Sequence, residues 1–483
     1  MLELNNQFTV MKRQIETDVL KSFFQGTLET DVDRIPLKVI PKDRIPNRCC
    51  IYKERAMVRY RIMALMGIDI ERFDDESKPL AEYVKEVMDK DQPPAPMLTT
   101  ISTACYGCPP EQYRVTDQCR GCFARPCTAN CPRDAIDFAT GKAHINTDRC
   151  VRCGKCKEVC PYTAIIHIPV PCEAACPVGC VKKNEKGYVE IDHKHCISCG
   201  RCATSCPFGA IVERSGLFPV VKRLKEGVPC TAMIAPAIEG QFPGTLAQIV
   251  AALLKLGFKR VVEVSRGAEV TSIVESAELQ KRKEEEHEWM TTSCCAAYLE
   301  VGNKLLPFLK ERRSDAKTPM GYTAEMCRKE NPENFTVFIG PCYAKKIEAA
   351  RDPNVDGVLT FSELAAMFLA KDIDVREQEP ADLGDDSTFS DCRGFAVTHG
   401  VLDSVMLRYK GKETPKAMTI NGMDKKVYTL MKIWQKRKPD ADIVEVMVCE
   451  GGCIGGPGCI VKPQVALRLR GGNKAATPVK SMR

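Results

Sequence analysis

Twenty-eight of the 483 residues are cysteines, and many fall into two stretches that repeat in register. One stretch reads RPCTANCPRDAI and then INTDRCVRCGKCKEVCPYTAI; the other reads VPCEAACPVGCV and then VEIDHKHCISCGRCATSCPFGAI. Each contains C-x2-C-x2-C-x3-C-P, at Cys150, Cys153, Cys156 and Cys160 and again at Cys196, Cys199, Cys202 and Cys206. Three thiolates on a tight loop reach three corners of one four-iron cube, and the fourth, leaving before proline, reaches a neighbouring cube. Zinc is the plain alternative, but its structural sites usually pair two C-x2-C knuckles and seldom use this triple spacing. The spacing reads as iron–sulfur.

This region resembles bacterial two-cluster ferredoxins. A third group in CRGCFARPCTANCP has one longer gap and the same final C-P. By the crossover rule Cys119, Cys122, Cys127 and Cys160 hold one cube, and Cys150, Cys153, Cys156 and Cys131 the next. In the second repeat Cys176 completes the cube of Cys196, Cys199 and Cys202. Cys206, Cys172 and Cys180 remain, with Cys105 and Cys108 of CYGC upstream. These five supply a fourth cube with one thiol to spare, unless Cys105 and Cys108 form a small zinc knuckle or stay free. A chain of cubes carries single electrons between a soluble partner and something else.

Three further cysteine loops, TTSCCAAY (291–298), GPCYAKKIE (340–348) and VMVCEGGCIGGPG (446–458), stand at the ends of strand-like or helical runs. The elements that must position them appear from about 228, where TAMIAPAI, RVVEVS, FTVFIG and IVEVMV alternate with helical patterns such as TLAQIVAALLKLGF. That alternation predicts an α/β domain. The expected architecture is a multidomain α+β and α/β chain. It has a mostly helical N-terminal region with a proline-rich linker at 91–97 (1–97), a duplicated ferredoxin-like region (98–225), an α/β domain (226–470) and a flexible tail (471–483). Helices are expected over 55–68 and 79–90.

The totals narrow the class. The chain is long enough for two or three cores. No charged-then-apolar leader opens it, and the most apolar helical stretch, LAQIVAALLKL, is far short of the roughly 20 residues a membrane span needs. A cytoplasmic protein follows as an expectation, and in a reducing compartment so many thiols point to metal rather than disulfides. The formal charge of +7 would suggest nucleic acid, but several clusters of negative net charge offset it, so neither nucleic acid nor membrane is expected as a partner.

In order and in kind, the three C-terminal loops resemble the signature loops of iron-only, or [FeFe], hydrogenases, and the likeness runs over about 226–483. The resemblance implies an α/β iron-only hydrogenase catalytic domain in which Cys295, Cys342, Cys449 and Cys453 bind a four-iron cube. Cys453 bridges to a two-iron unit bearing carbonyl, cyanide and a dithiolate bridge, together the H-cluster; two to four additional [4Fe-4S] clusters accompany it. Lys345 matches the lysine at a cyanide ligand, Ala235, Pro236 and Ala237 the loop lining the other cyanide, and Met447 the methionine near the bridging ligand. Cys294 matches the thiol that trades protons with the bridge, and Glu275, Ser314 and Glu278 match a relay from it to the surface. Without the flanking motifs, Lys345 reads as a solvated lysine, Met447 as core and the two glutamates as a solvated helix face.

The chain also departs from that pattern. Ala296 stands where a proline usually follows the paired cysteines, Gly340 and Met320 replace a methionine and a glutamine, and the last loop reads GGPG. These changes resemble a divergent subclass often called group B. His399 is expected to be a packing or surface residue, and Cys49, Cys50, Cys230, Cys327, Cys392 and Cys459 to be buried structural thiols. The leading expectation is reversible H2 chemistry with electrons relayed to or from a soluble carrier such as ferredoxin, and maturation proteins supplying the two-iron unit. A hydrogen sensor and a non-catalytic iron–sulfur assembly protein are the other readings. No nicotinamide or flavin glycine fingerprint is present, so reaction with a pyridine nucleotide would need another subunit.

Overall fold

The computed structural model describes residues 6–72, 75–88, 96–286, 288–388 and 391–474. The four apolar runs of the C-terminal half form strands buried along nearly their whole length, as parallel strands covered on both faces must be. Three of them, with Gly357–Thr360, make a four-stranded parallel sheet in the order Arg260–Glu263, Cys230–Ile234, Phe335–Gly340, Gly357–Thr360. The fourth, Ile443–Met447, is the centre of a separate parallel sheet between Met290–Thr291 and Ala417–Asn421. Helices follow strands with ordinary start signals. Thr245 caps Leu246–Leu256, its hydroxyl accepting from the Gln248 N–H while the Gln248 amide accepts from the Thr245 N–H. Thr360 and Glu363 repeat the device on Phe361–Ala370.

The cysteine-rich region consists of small pieces: two-stranded ribbons and helices of four or five residues. The first repeat has its own small core of Cys127, Ile136, Ala143, Ile145, Cys156 and Ile165. The second is fused to the rest, because Cys176, Cys196, Val181 and Ile191 share one core with the α/β domain.

The described residues among the first 97 are mostly helical, in Gln7–Gln25, Ile51–Leu65 and Leu80–Met88 among others, in line with the helices expected over 55–68 and 79–90 as far as these are described. They do not form a body of their own. Gln7–Gln25 packs on Phe361–Ala370, and Ile15, Val19 and Leu20 belong to the same core as Phe361 and Leu364. Leu98–Thr100 pairs antiparallel with Ile211–Glu213, so the chain enters the second repeat as an edge strand. The expected linker at 91–97 falls mostly outside the described residues. Of the expected tail, 471–474 continue the helix Pro463–Lys474 and the remainder lies outside the described residues. Among the described residues no helix is long and apolar enough to cross a membrane.

Candidate active site

Each cysteine loop of the α/β domain begins at the C-terminal end of a parallel strand, where open α/β sheets expose backbone and leave room for ligands. Ala235–Ala237 follow Cys230–Ile234, and Cys342 follows Phe335–Gly340. Cys294 and Cys295 follow Met290–Thr291, with Cys295 opening the helix Ala296–Lys304. Cys449 follows Ile443–Met447, and Cys453 starts the short turn Cys453–Gly455. The two sheets aim these ends at one mostly apolar chamber, lined by Cys294, Cys295, Cys342, Cys449, Cys453, Lys345, Met447, Ala235 and Pro236. Cys199 of the second ferredoxin-like motif lines it as well.

The donor set fits a soft, cationic group. Burial pushes the Cys342 thiol up to about 11 and Cys453 up to about 12, and raises Cys449 well above its ordinary value; neighbouring thiols add to each shift. These three thiols ionise together only on a cation that offsets their mutual repulsion, and soft thiolates select iron–sulfur chemistry. Gly452, between Cys449 and Cys453, has φ +87° and ψ −155°, and a Cβ there would lie 2.6 Å from the Thr398 nitrogen. Among the described residues no three His, Cys, Asp or Glu side chains are grouped to hold a single metal ion. A cube makes a different demand, presenting a separate iron to each thiolate, so its sulfurs stand apart around a void. Such a void is visible in the first repeat, where Cys119, Cys122, Cys127 and Cys160 line a small cavity, the four assigned to one cube by the crossover.

Lys345 is buried and charged. Its Nζ donates to Thr318 Oγ1 at 3.1 Å and to the Glu348 carboxylate at 2.8 and 3.0 Å. Burial alone would lower its pKa, but Glu348, and then Cys342 and Cys294, outweigh it and raise the net value. Lys346 faces away and joins Glu213 and Glu363. Met447 and Met320 are fully buried, and both line the chamber. A side chain at Gly340 would meet the Phe338 ring, which itself lines the chamber, so the phenyl occupies the room a residue at 340 would need.

The carboxylates lie on successive turns of the helix Ser265–Lys281. Cys294 is half-buried against the chamber, its thiol raised well above its ordinary value by burial and then by Glu275. Glu275 is fully buried; its Oε1 accepts from the Ser293 N–H at 2.8 Å and from the Ser293 hydroxyl at 3.0 Å. Among the described residues its Oε2 has no hydrogen-bond partner, and burial pushes its pKa up to about 7. Ser314 donates to Glu278 Oε2 at 2.6 Å, and Arg282 stands 2.6 Å from Glu278 Oε1. The expected order Cys294–Glu275–Ser314–Glu278 is thus altered in the middle. Among the described residues no hydrogen bond joins Glu275 to Ser314, and Ser293 bonds Glu275 Oε1 instead.

Sequence reasoning missed Ser293, Arg282 and Glu348, and it assigned Cys199 to a relay cube without its place at the chamber wall. Two had a local signal: Arg282 lies four residues after Glu278 and Glu348 three after Lys345, the spacings at which opposite charges meet on a helix. His399 is at the surface, its side chain 59% exposed, bonded to Thr419 at 2.9 Å. All twenty-eight cysteines are free thiols; Cys230, Cys327 and Cys392 are buried as expected, whereas Cys49 is exposed and Cys50 and Cys459 are half-buried.

Residues 228–457 match the family described as iron only hydrogenase large subunit, C-terminal domain, and 143–166 and 189–212 match the 4Fe-4S binding domain. The periplasmic [Fe] hydrogenase large subunit of Nitratidesulfovibrio vulgaris is 30% identical over 306 residues, covering 51% of this chain and 72% of the relative. Iron hydrogenase 1 of Clostridium pasteurianum is 27% identical over 260 residues, 44% of this chain and 45% of the relative. The cytosolic Fe-S cluster assembly factor NAR1 of Debaryomyces hansenii is 32% identical over 132 residues, 24% of each chain. Loops, chamber and relatives agree: the chain belongs to the iron-only hydrogenase large-subunit family.

Proposed function

We propose that the chain catalyses 2H+ + 2e− ⇌ H2 in the chamber, exchanging electrons with a soluble carrier of the ferredoxin kind through [4Fe-4S] cubes. The observation that carries this reading is the meeting, in one apolar chamber, of Cys295, Cys342, Cys449 and Cys453 with Cys294 and Lys345, with the buried Glu275 behind them. The four cysteines would hold the cube of an H-cluster, and its two-iron unit, supplied by maturation proteins, would provide the heterolytic chemistry of H2. Lys345 holds a fixed positive charge toward anionic ligands, and the Ala235–Pro236–Ala237 backbone and Met447 close the apolar wall. Cys294 keeps its proton and holds it at the chamber. Glu275, poised near neutrality, accepts and releases protons at working pH, as a relay group should. The hydroxyls of Ser293 and Ser314 can each take one proton and pass on another, leading to Glu278, which the Arg282 guanidinium holds in place. Cys199 at the chamber wall makes the cube of Cys176, Cys196, Cys199 and Cys202 the nearest electron donor. The first repeat faces solvent, with Cys153 exposed and Phe123 standing fully in water beside Cys122, so the carrier is read to dock there.

An infrared spectrum of anaerobic protein, given the two-iron unit by a maturation system or synthetic precursor, tests the reading. Carbonyl and cyanide bands that shift under H2 are expected. A second reading, an assembly-type iron–sulfur protein, is favoured by the assembly-factor relative and by the departures at Ala296, Gly340 and Met320. It requires cubes without such bands.

A further inference from the structure

The five thiols left unassigned by spacing are sorted by the internal repeat. We infer that Cys105, Cys108, Cys172 and Cys206 hold a fourth [4Fe-4S] cube and that Cys180 is the surplus thiol. The inference rests on the reading that this region carries cubes. It goes further in treating the first repeat as an insertion within the second.

The first repeat supplies the template, because its cavity shows Cys119, Cys122, Cys127 and Cys160 around one void. The Cys119 sulfur accepts from the Ala143 N–H at 3.4 Å, and the Cys105 sulfur accepts from the Val189 N–H at the same distance. Ala143 and Val189 each lie seven residues before the first cysteine of their C-x2-C-x2-C motif. CRGC and CYGC both turn on a glycine in the left-handed region, Gly121 at φ +57° and Gly107 at φ +64°. A Cβ on Gly121 would meet the Gly141 oxygen and one on Gly107 the Gly187 oxygen, again equivalent residues. The helix of Cys172, Pro171–Ala175, packs on Arg201–Ser205, which leads to Cys206, just as Pro126–Ala129 packs on Lys155–Glu158 ahead of Cys160. Tyr106 stacks on Phe208 at 4.9 Å, fastening the CYGC turn beside Cys206.

Cys180 falls where the first repeat has Ala135, and its sulfur lies 3.5 Å from that of Cys176, beside the other cube. The second repeat is therefore split. Its first cysteine pair precedes the whole first repeat, whose neck is the antiparallel pair Gln112–Val115 and Ile165–Ile168.

Independent of this symmetry, the N-terminal region brings cations to the same place. Arg61 is 8% exposed, with Nε and Nη1 lacking hydrogen-bond partners among the described residues, and its Nη2 donates to the Phe208 oxygen at 3.3 Å. Arg48 lies over the Phe208 ring and donates to the Ala104 oxygen at 3.2 Å. Buried N–H groups of a cation without partners ask for an anion, which a thiolate-ligated cube is.

The test is iron and sulfide content, with spin counting after reduction, on the full chain assembled without the two-iron unit. Five cubes give about twenty irons per chain. The double variant Cys108→Ala, Cys172→Ala is expected to lose about four irons and one reduced-cluster signal, and Cys180→Ala to lose none. A wild-type count of about sixteen, full iron in the double variant, or iron loss in Cys180→Ala overturns the assignment. The wild-type count decides the matter even if the double variant fails to fold. Cys122→Ala with Cys127→Ala is the control: if it also loses nothing, the cube reading of the whole region fails, not only the fourth site.

Discussion

At the scale of single residues, the candidate site separates groups that hold a cofactor from groups that move protons, and the two fail differently. Cys294 lines the chamber beside Cys295 and is not one of the four cysteines proposed to hold the cube. Cys294→Ala should therefore leave the iron content and infrared bands intact and nearly abolish turnover; substantial remaining activity would remove Cys294 from the route. On the proposed route, Glu275 would carry the pH dependence. With its carboxyl pushed up to about 7 by burial, it is mostly protonated below that pH and mostly ionised above it. Proton delivery inward needs the acid, so H2 evolution should fall as pH rises through about 7. Uptake needs the base and should rise over the same range. Glu275→Gln should lower both by about a hundredfold or more and erase that transition, as loss of an acid–base group does; an unchanged profile would show that protons travel elsewhere. The cysteine motifs were legible in the sequence because the spacing of candidate cluster ligands is local. Ser293 was not, because its bond to Glu275 spans 18 residues and joins two elements whose packing no local pattern encodes.

At the scale of elements, the strands were readable as apolar runs, and their C-terminal ends carry the site. Their division into two sheets was not readable, since a buried parallel strand shows no face preference and thus nothing of its neighbours. The loops that leave them depend on backbone that only glycine adopts. Gly452, at φ +87° and ψ −155°, sits in a region closed to other residues, and a Cβ would press on Thr398 and Val397 at 2.6 to 2.8 Å. Gly452→Ala should cost about 1–3 kcal/mol from the backbone alone. Because the strain falls between Cys449 and Cys453, it should cost the chamber cube, about four irons, while the ferredoxin-like cubes remain. Iron analysis beside a thermal melt checks this, and full iron with an unmoved midpoint would mean that the loop is not a rigid cradle.

At the scale of the whole molecule, three regions that the composition separates are joined by buried charge. Lys346, 1% exposed, leaves the Cys342 loop to meet Glu213 of the second repeat at 3.0 Å and Glu363 of the α/β domain at 3.2 Å. Lys12 of the N-terminal helix reaches Glu213 at 3.4 Å, and Ser215 donates to Glu363. The junction thus fixes the second repeat, with Cys199 at the chamber wall, against the loop that carries Cys342. Burial would raise Glu363, but Lys346 and then the bonds from Ser215 and Thr360 outweigh it and hold the carboxyl below its ordinary value. Burial would lower Lys346, but Glu213 and Glu363 outweigh it and raise the net value. The carboxylate's contribution is therefore whole above its unfolded pKa and is lost as pH falls through the depressed folded value; the lysine's is lost only as pH rises through its raised one. Lys346→Ala leaves both carboxylates without their central cation and should cost about 3–5 kcal/mol at neutral pH. The deficit against wild type should narrow in acid, as Glu363 is protonated. Electron transfer to the chamber should slow with it, because the same junction sets how the second repeat meets the α/β domain. Thermal melts across pH, paired with the rate of carrier-driven reduction, separate the possibilities: a stability loss without a slower rate would mean that Cys199 is held in place by its own loop rather than by this junction.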